Sequence, residues 1–97
     1  MLLPARTAVL NYLYQVGEAD IGQIMTALKP DYGTEKQFSE KMYMEHAMSL
    51  EANGLAEMKS YELNQNGELV MRYRINDDGR STVEKYVPAK FRKKGGQ

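Results

Sequence analysis

The sequence predicts an α+β domain in which a three-helix core precedes a two-stranded β-hairpin and a C-terminal helix. Up to about residue 53, apolar residues recur at helical spacing of three or four. After Gly54 the pattern changes to alternation, and Asn66-Gly67, a strong hairpin signal, separates two alternating stretches. Three helices and one hairpin cannot build a parallel sheet, so the hairpin is expected to pack against the helices.

The first two helices are predicted from their end signals. Proline fits the first turn of a helix, so helix one is expected to begin at Pro4, and Gly17 is expected to end it. Asp20 is the predicted N-cap of helix two. Residues 30–33, which include Pro30, are expected to break this second helix.

A third helix is predicted from Thr34 to about Asn53. Thr34 is a good N-cap, Gln37 completes a capping-box pattern, and Gly54 provides the C-terminal stop. The expected core face of this helix comprises Phe38, Tyr43, Ala47 and Leu50, with Met42 and Met44 as further candidates.

Two strands and a last helix follow. The first strand is expected to place Leu55, Glu57, Lys59, Tyr61 and Leu63 on one side and Ala56, Met58, Ser60 and Glu62 on the other. Residues 64–67 form the expected turn, and residues 69–75 the return strand. Residues 76–78 offer caps for a helix to Tyr86, and Pro88 ends regular structure. The predicted organisation is therefore a domain over residues 1–88 and a basic flexible tail over residues 89–97.

Composition narrows the class of protein. The chain has 97 residues, enough for one domain, and no cysteine, which excludes disulfides and thiolate chemistry. No apolar run approaches the ~20 residues of a membrane span, and a cytoplasmic location is expected. Residues 1–78 carry seven Lys/Arg against twelve Asp/Glu, whereas residues 79–97 carry six against one. The basic end either meets an anionic partner or is simply a solvated tail.

Two stretches resemble the winged helix-turn-helix regulators, especially the PadR-like and MarR-like families. Residues 48–55, Met-Ser-Leu-Glu-Ala-Asn-Gly-Leu, resemble the family's helix-end pattern, and residues 73–80, Tyr-Arg-Ile-Asn-Asp-Asp-Gly-Arg, resemble the segment that leaves the wing. The resemblance covers residues 20–86 and places the wing tip at Asn66-Gly67. It implies a regulator that binds double-stranded DNA by inserting the third helix into the major groove.

The DNA contacts expected from this comparison lie on the third helix, on the wing and in the basic end. Gln37 and Ser39 are expected to read base edges, and Lys36 and Lys41 to pair with phosphates. Thr34 would mark a phosphate site at the helix N-terminus. The remaining candidates are Gln65, Asn66, Arg72 and Arg74 of the wing, and Arg92, Lys93 and Lys94 of the tail.

One feature opposes DNA binding and keeps a second hypothesis open. The predicted third helix carries four Glu against two Lys, so its phosphate attraction must come from basic groups elsewhere. The alternative is a winged helix that binds a basic protein partner through this acidic helix. For the DNA-binding regulator a homodimer is expected, with Leu2, Leu3, Tyr14, Val83 and Val87 available for its interface.

The sequence contains no recognisable catalytic or metal-binding pattern. No Ser-His pairing, phosphate loop or metal-ligand spacing occurs, and the only histidine, His46, is expected to have a surface or helix-face role. We therefore expect a protein that is not an enzyme and needs no cofactor or metal.

Overall fold

Three helices form the body of the protein in the computed structural model, which describes residues 2–92. These helices are α1 (Ala5–Val16), α2 (Ile21–Tyr32) and α3 (Glu40–Ala52). The other elements are strands β1 (Glu18–Asp20), β2 (Ala56–Leu63) and β3 (Leu69–Ile75) and helices α4 (Asp77–Tyr86) and α5 (Ala89–Arg92). The predicted α+β class is confirmed. Within residues 2–92, no helix has both the length and the apolar character needed to cross a bilayer.

The sheet has three strands, so the prediction of two is corrected. Strand β1 pairs antiparallel with β3, which also pairs antiparallel with β2, giving the order β1-β3-β2. The pairing joins Glu18 to Arg74 and Asp20 to Arg72, and only Ala19 of β1 is buried. Three residues are too few to produce a detectable alternation, which is why the sequence did not predict β1. The strand is defined by its pairing with β3.

Helix α2 begins as predicted but continues through Pro30. The Asp20 side chain accepts the Gln23 N–H at 2.8 Å, and the Gln23 side chain accepts the Asp20 N–H at 2.9 Å, which completes a capping box. The helix ends within residues 30–33 as expected, but Pro30 itself does not break it, because Gly33 N–H still donates to Lys29 O at 2.8 Å beyond the proline. Pro30 lies in the last turn of α2, which ends at Tyr32.

Helix α3 begins five residues later than predicted, with its N-cap at Ser39 instead of Thr34. Ser39 is its N-cap and accepts the backbone N–H of Met42 at 3.2 Å, so the capping box assigned to Thr34 and Gln37 is wrong. The extension of α2 to Tyr32 leaves residues 33–39 to connect α2 with α3. The predicted end of α3 is confirmed: Gly54 has φ 76°, and Leu55 N–H donates back to Leu50 O at 2.9 Å.

The core lies between the helices and one face of the sheet. Its fully buried members include Leu13, Ile24, Tyr43, Tyr73 and Val83. Val83 and Val87 are both buried in this core, so their expected availability for a dimer interface is wrong. The predicted α3 core residues Tyr43, Ala47 and Leu50 are confirmed, whereas Phe38, Met42 and Met44 are half-buried beside them. His46 lies on α3 and is buried at 8% exposure, so of the surface or helix-face position expected for it the surface alternative is wrong.

A β-bulge explains why the predicted faces of β2 are wrong. Ala56 and Met58 pair with the buried Ile75 and Tyr73, but the register shifts between Met58 and Ser60. The additional residue is Lys59, and beyond it Tyr61 and Leu63 pair with Met71 and Leu69. Residues that pair directly share a face, so one face carries Ala56 and Met58 before the bulge and Tyr61 and Leu63 after it.

More of the C-terminal segment packs against the helical body than the sequence predicted. Asn76 caps α4 by accepting Gly79 N–H at 2.8 Å, as its position suggested. Helix α5 falls within the segment expected to be a flexible tail, yet Phe91 O accepts hydrogen bonds from Asn11 at 2.7 Å and Gln15 at 3.1 Å. Residues 89–92 are therefore held against α1, and the rest of the predicted tail lies outside the described residues.

Candidate nucleic-acid interface

The connection between α2 and α3 holds three of the predicted DNA contacts. Thr34, Lys36 and Gln37 are all exposed in this loop rather than on a helix. Hydrogen bonds from Glu35 N–H to Tyr32 O and from Phe38 N–H to Glu35 O, both 3.0 Å, shape the loop. Because Thr34 is not an N-cap, the phosphate site expected there at a helix N-terminus is wrong.

The face of α3 that points away from the core carries a continuous exposed stripe. Lys41, Glu45, Met48 and Ala52 follow one another at spacings of four, three and four residues, and all are exposed. On the buried side, Tyr43 packs its ring against Phe38 with centroids 5.1 Å apart. Of the residues predicted to bind DNA, only Lys41 lies on the stripe. Ser39 is half-buried at its N-cap position, and Gln37 precedes the helix.

Glu45 and Met48 were not among the residues predicted to contact DNA, because the expected start of the helix at Thr34 placed the predicted contacts at residues 34–41. The spacing itself was visible in the sequence. Once Tyr43, Ala47 and Leu50 define the buried side, Glu45 and Met48 must lie opposite.

Three lysines lie around the α2–α3 connection. Lys29 at the end of α2, Lys36 in the loop and Lys41 in the first turn of α3 are exposed. Within residues 2–92 the ion pairs involve Arg72 and Arg74 only, so these lysines remain available to an anion. Carboxylates accompany them, because Glu35, Glu40 and Glu45 are also exposed in this region.

The hairpin tip presents two of the four wing residues predicted from the sequence. Asn64 Oδ1 accepts the N–H groups of Asn66 at 2.9 Å and Glu68 at 3.0 Å, and Gly67 adopts φ 77°. This leaves the side chains of Gln65 and Asn66 exposed at the end of the hairpin. The Asn-Gly hairpin prediction is confirmed.

Arg72 and Arg74 lie on the outer face of the sheet and are paired with carboxylates. They alternate with Met71, Tyr73 and Ile75, which face the core. Arg72 forms a short ion pair with Glu18 and lowers the pKa of that carboxyl through the hydrogen bond and charge attraction. Arg74 lies 3.4 Å from Glu57. A phosphate must therefore compete with an internal carboxylate for each arginine.

The inner face of the hairpin continues beyond the core as an exposed apolar surface. Tyr61 is 71% exposed, Leu63 is 69% exposed and Leu69 is 42% exposed. At the base of this surface, a groove of about 210 Å³ separates the hairpin from the beginnings of α2 and α3. Its lining residues are Asp20, Ile21, Gly22, Glu40, Asn64, Glu68, Leu69, Val70 and Met71. This set contains three carboxylates and no positive charge.

The C-terminal candidates separate into two groups. Arg92 is half-buried in α5 and its Nε is buried without a hydrogen-bond partner, while Lys93 and Lys94 lie outside the described residues. Asn11 and Gln15, which hold α5, lie on the opposite side of α1 from the fully buried Leu13. The structure therefore does not bring Arg92 together with the exposed stripe of α3.

His46 belongs to the interior rather than to a reactive site. Its ring packs edge-on against Tyr43 at 5.2 Å, and its Nδ1 is buried without a hydrogen-bond partner. Burial lowers the pKa of His46, and the charge of Arg6 lowers it further against the opposing effect of Glu45. Among the described residues, no group of three or more His, Asp or Glu side chains is placed to hold a metal ion.

The comparisons with known proteins give no family. No protein-family model matches the chain, and no curated protein matches it.

Proposed function

We propose that this protein binds duplex DNA as a sequence-specific transcription regulator and acts as a homodimer. In this proposal the domain is a winged helix-turn-helix, with which the order of helices and the three-stranded sheet are compatible. The observation that carries the proposal is the exposed stripe of α3. Helix α3 buries Tyr43 and Leu50 in the core and exposes Lys41, Glu45 and Met48 on its opposite side. A helix held in this way can enter the major groove with its exposed side.

The stripe would read bases more than it would attract phosphates. A glutamate accepts a hydrogen bond from cytosine N4 in the major groove, and an apolar side chain contacts the thymine methyl group. Glu45 and Met48 are the residues that would make these contacts. Gln65 and Asn66, at the exposed hairpin tip, would contact the adjacent minor groove or backbone.

Phosphate contacts in this proposal come from the lysines around the α2–α3 connection. Lys29, Lys36 and Lys41 make no ion pair among the described residues, unlike Arg72 and Arg74. Three phosphate contacts would give a slope of about −3 for the logarithm of the binding constant against the logarithm of salt concentration. Two protomers on paired half-sites would supply the specificity that one such weakly charged module lacks.

The test begins by enriching duplexes that bind the full chain from a random pool at low salt. Fluorescence anisotropy then measures binding of the enriched duplex over a salt series. Lys36→Ala and Lys41→Ala should each reduce the salt slope by about 1, and Glu45→Gln should change the preferred base. Lys85→Ala, at an exposed position on α4, is the matched control and should leave binding unchanged. If no duplex is enriched at low salt, the protein does not bind DNA in this way.

Truncation of the chain tests the role of the tail. A chain that ends at Arg92 keeps the hydrogen bonds of Phe91 to α1, whereas one that ends at Pro88 would lose them. If Lys93 and Lys94 contact phosphates, the chain that ends at Arg92 should show a slope smaller by about 2. An unchanged slope would leave the tail outside the DNA interface.

The acidic groove favours a second candidate, a winged helix that binds a basic protein segment. Exposed Tyr61, Leu63 and Leu69 adjoin a groove edged by Asp20, Glu40 and Glu68. An apolar surface with an acidic edge is complementary to an amphipathic segment rich in Lys or Arg. A labelled peptide of alternating Leu and Arg should then bind at micromolar concentration, and Leu63→Ser should weaken binding more than Ser81→Ala on α4. Failure of the peptide to bind would remove this candidate and leave the DNA proposal unaffected.

A further inference from the structure

Two of the five asparagines are followed by glycine, at Asn53-Gly54 after α3 and at Asn66-Gly67 in the hairpin turn. At such a pair the backbone nitrogen of the glycine can attack the side-chain amide carbon of the asparagine, because glycine has no Cβ to hinder the approach. Asparagine is a thermolabile residue, and this attack is one route to its loss. The sequence therefore contains two sites of comparable intrinsic reactivity, and only the structure distinguishes between them.

The two pairs have nearly the same local backbone conformation. Gly54 has φ 76° and Gly67 has φ 77°. Gly54 N–H donates to Glu51 O at 2.9 Å, and Gly67 N–H donates to Asn64 O at 3.0 Å. Because each attacking nitrogen is held in a hydrogen bond, the reaction requires a local opening that frees the nitrogen and lets the asparagine side chain turn toward it. The relative rates then depend on which other contacts each opening must break.

The Asn53-Gly54 pair is tied to the body of the protein. Leu55 N–H donates to the carbonyl of the buried Leu50 at 2.9 Å, and Asn76 Nδ2 donates to Gly54 O at 2.8 Å. An opening at this pair must therefore loosen the end of α3 and separate it from the N-cap of α4. Openings that disturb buried groups are the rarest in a folded protein.

The Asn66-Gly67 pair is held only by its own turn. Among the described residues, every hydrogen bond of residues 64–68 joins two members of that segment, including the bonds of Asn64 Oδ1 to the N–H groups of Asn66 and Glu68. All residues from 59 to 69 are exposed. The turn can therefore open without separating any buried contact, as is typical of an exposed loop tip.

We propose that Asn66 is a site of spontaneous covalent modification, at which the exposed hairpin tip acquires a carboxylate. The Gly67 nitrogen forms a bond to Asn66 Cγ, and its proton passes through water to the side-chain nitrogen, which leaves as ammonia. The product is a five-membered succinimide ring. Water then adds to either carbonyl of the ring, the ring C–N bond breaks, and position 66 becomes aspartate or isoaspartate. The only co-reactant is water, and no group is oxidised or reduced.

The modification changes both the charge and the length of the turn. Each product carries a negative charge where Asn66 carries none, and isoaspartate also lengthens the main chain by one atom in a turn whose length fixes the hairpin register. Because Asn66 is one of the proposed contacts to DNA, the new carboxylate would oppose an approaching phosphate. This last consequence rests on the proposed function, whereas the reaction at Asn66 depends only on the turn.

The test is to age the full chain at mildly alkaline pH, digest it with trypsin and measure the peptide masses. Lys59 lies between the two pairs, so cleavage after lysine and arginine places Asn53 and Asn66 in different peptides. In the folded chain, the Asn66 peptide should gain the mass of the amide-to-acid exchange at least about ten-fold faster than the Asn53 peptide. In urea that unfolds the chain, the two rates should become comparable.

Two variants assign the mass change to the predicted site. Asn66→Gln should abolish the gain in its peptide, because the longer side chain does not favour the five-membered ring. Asn53→Gln is the matched control and should leave the reaction at Asn66 unchanged. Equal rates at both pairs in the folded chain, or a reaction at Asn66 that occurs only in urea, would overturn the proposal, since either result would contradict a selective opening of the turn.

Discussion

Gly79 packs against the carbonyl oxygen of Leu55 so closely that any side chain would collide with it. A Cβ at Gly79 would lie 2.1 Å from Leu55 O and 2.6 Å from Cγ1 of Ile75. Asn76 N–H donates to the same carbonyl at 3.3 Å. The first turn of α4 thus packs directly against the segment that follows α3. This contact joins the C-terminal part of the chain to the core.

Gly79→Ala should therefore destabilise the protein by about 3 kcal/mol, since the backbone of Leu55 cannot move aside as a flexible side chain could. Urea unfolding monitored by circular dichroism measures the change. Ser81→Ala is the control in the same helix, because Ser81 is exposed, and its effect should stay within about 0.5 kcal/mol. Equal stability of the Gly79→Ala variant and the control would contradict the close approach.

The start of α3 gives a second prediction, because the sequence pattern and the structure assign different N-caps. Ser39→Ala removes the acceptor of the Met42 N–H and should cost about 1 kcal/mol of unfolding free energy. Thr34→Ala alters an exposed loop residue and should change stability by less than about 0.5 kcal/mol. If thermal unfolding showed a larger loss of stability for Thr34→Ala than for Ser39→Ala, the helix would begin at Thr34 and the N-cap at Ser39 would be contradicted.

The contact between Arg72 and Glu18 predicts that the pKa of the Glu18 carboxyl is lowered in the folded protein. Arg72 lowers the pKa of Glu18 mainly through its hydrogen bond, so the stabilising effect of this pair is complete above the unfolded glutamate pKa of about 4.3. It is lost as the pH falls through the lower folded pKa. In an NMR titration, Arg72→Gln should raise the pKa of Glu18 toward its usual range, whereas Arg80→Gln should leave it in place. An unchanged Glu18 pKa in the Arg72→Gln variant would show that the ion pair does not persist in solution.

His46 predicts a separate pH dependence near neutrality. Burial lowers the pKa of His46 in the folded chain, so the unfolded chain takes up a proton at higher pH than the folded chain. Stability should therefore be complete above about pH 6.5 and fall as the pH drops toward the folded pKa. Because the chain has one histidine, its imidazole signals in NMR report the pKa directly. His46→Gln should remove this pH dependence, and a folded pKa at or above 6.5 would contradict it.

Tyr73 predicts a change in stability at alkaline pH. Burial, followed by the neighbouring Glu51 carboxylate, raises the pKa of Tyr73 to about 12. Stability is complete below the unfolded tyrosine pKa of about 10 and declines as the pH rises through the folded value. Tyr73→Phe should reduce this decline, whereas Tyr61→Phe, at a largely exposed position, should not. Identical alkaline unfolding of both variants would exclude Tyr73 as the cause.

Local signals in the sequence determined most of the element order and its boundaries. Asp20 and Asn76 cap their helices as expected, Gly54 ends α3, and Asn66-Gly67 forms the hairpin tip. Each of these features depends on groups a few residues apart, such as a side-chain oxygen and the N–H three residues later. A contact of this kind can be read from a sequence because the chain itself brings its partners together.

The tertiary structure decided the features whose partners are distant in the chain. Strand β1 exists because β3, more than fifty residues later, supplies its hydrogen bonds. The bulge at Lys59 reverses the faces of β2, and the later start of α3 moves Thr34 and Gln37 off the helix. The carboxylate partners of Arg72 and Arg74 likewise became visible only in the assembled sheet. The helical spacing in the sequence already placed Glu45 and Met48 opposite the buried side of α3. Only the assembled fold showed that α3 begins at Glu40, so that Lys41 shares their side of the helix whereas Thr34 and Gln37 do not.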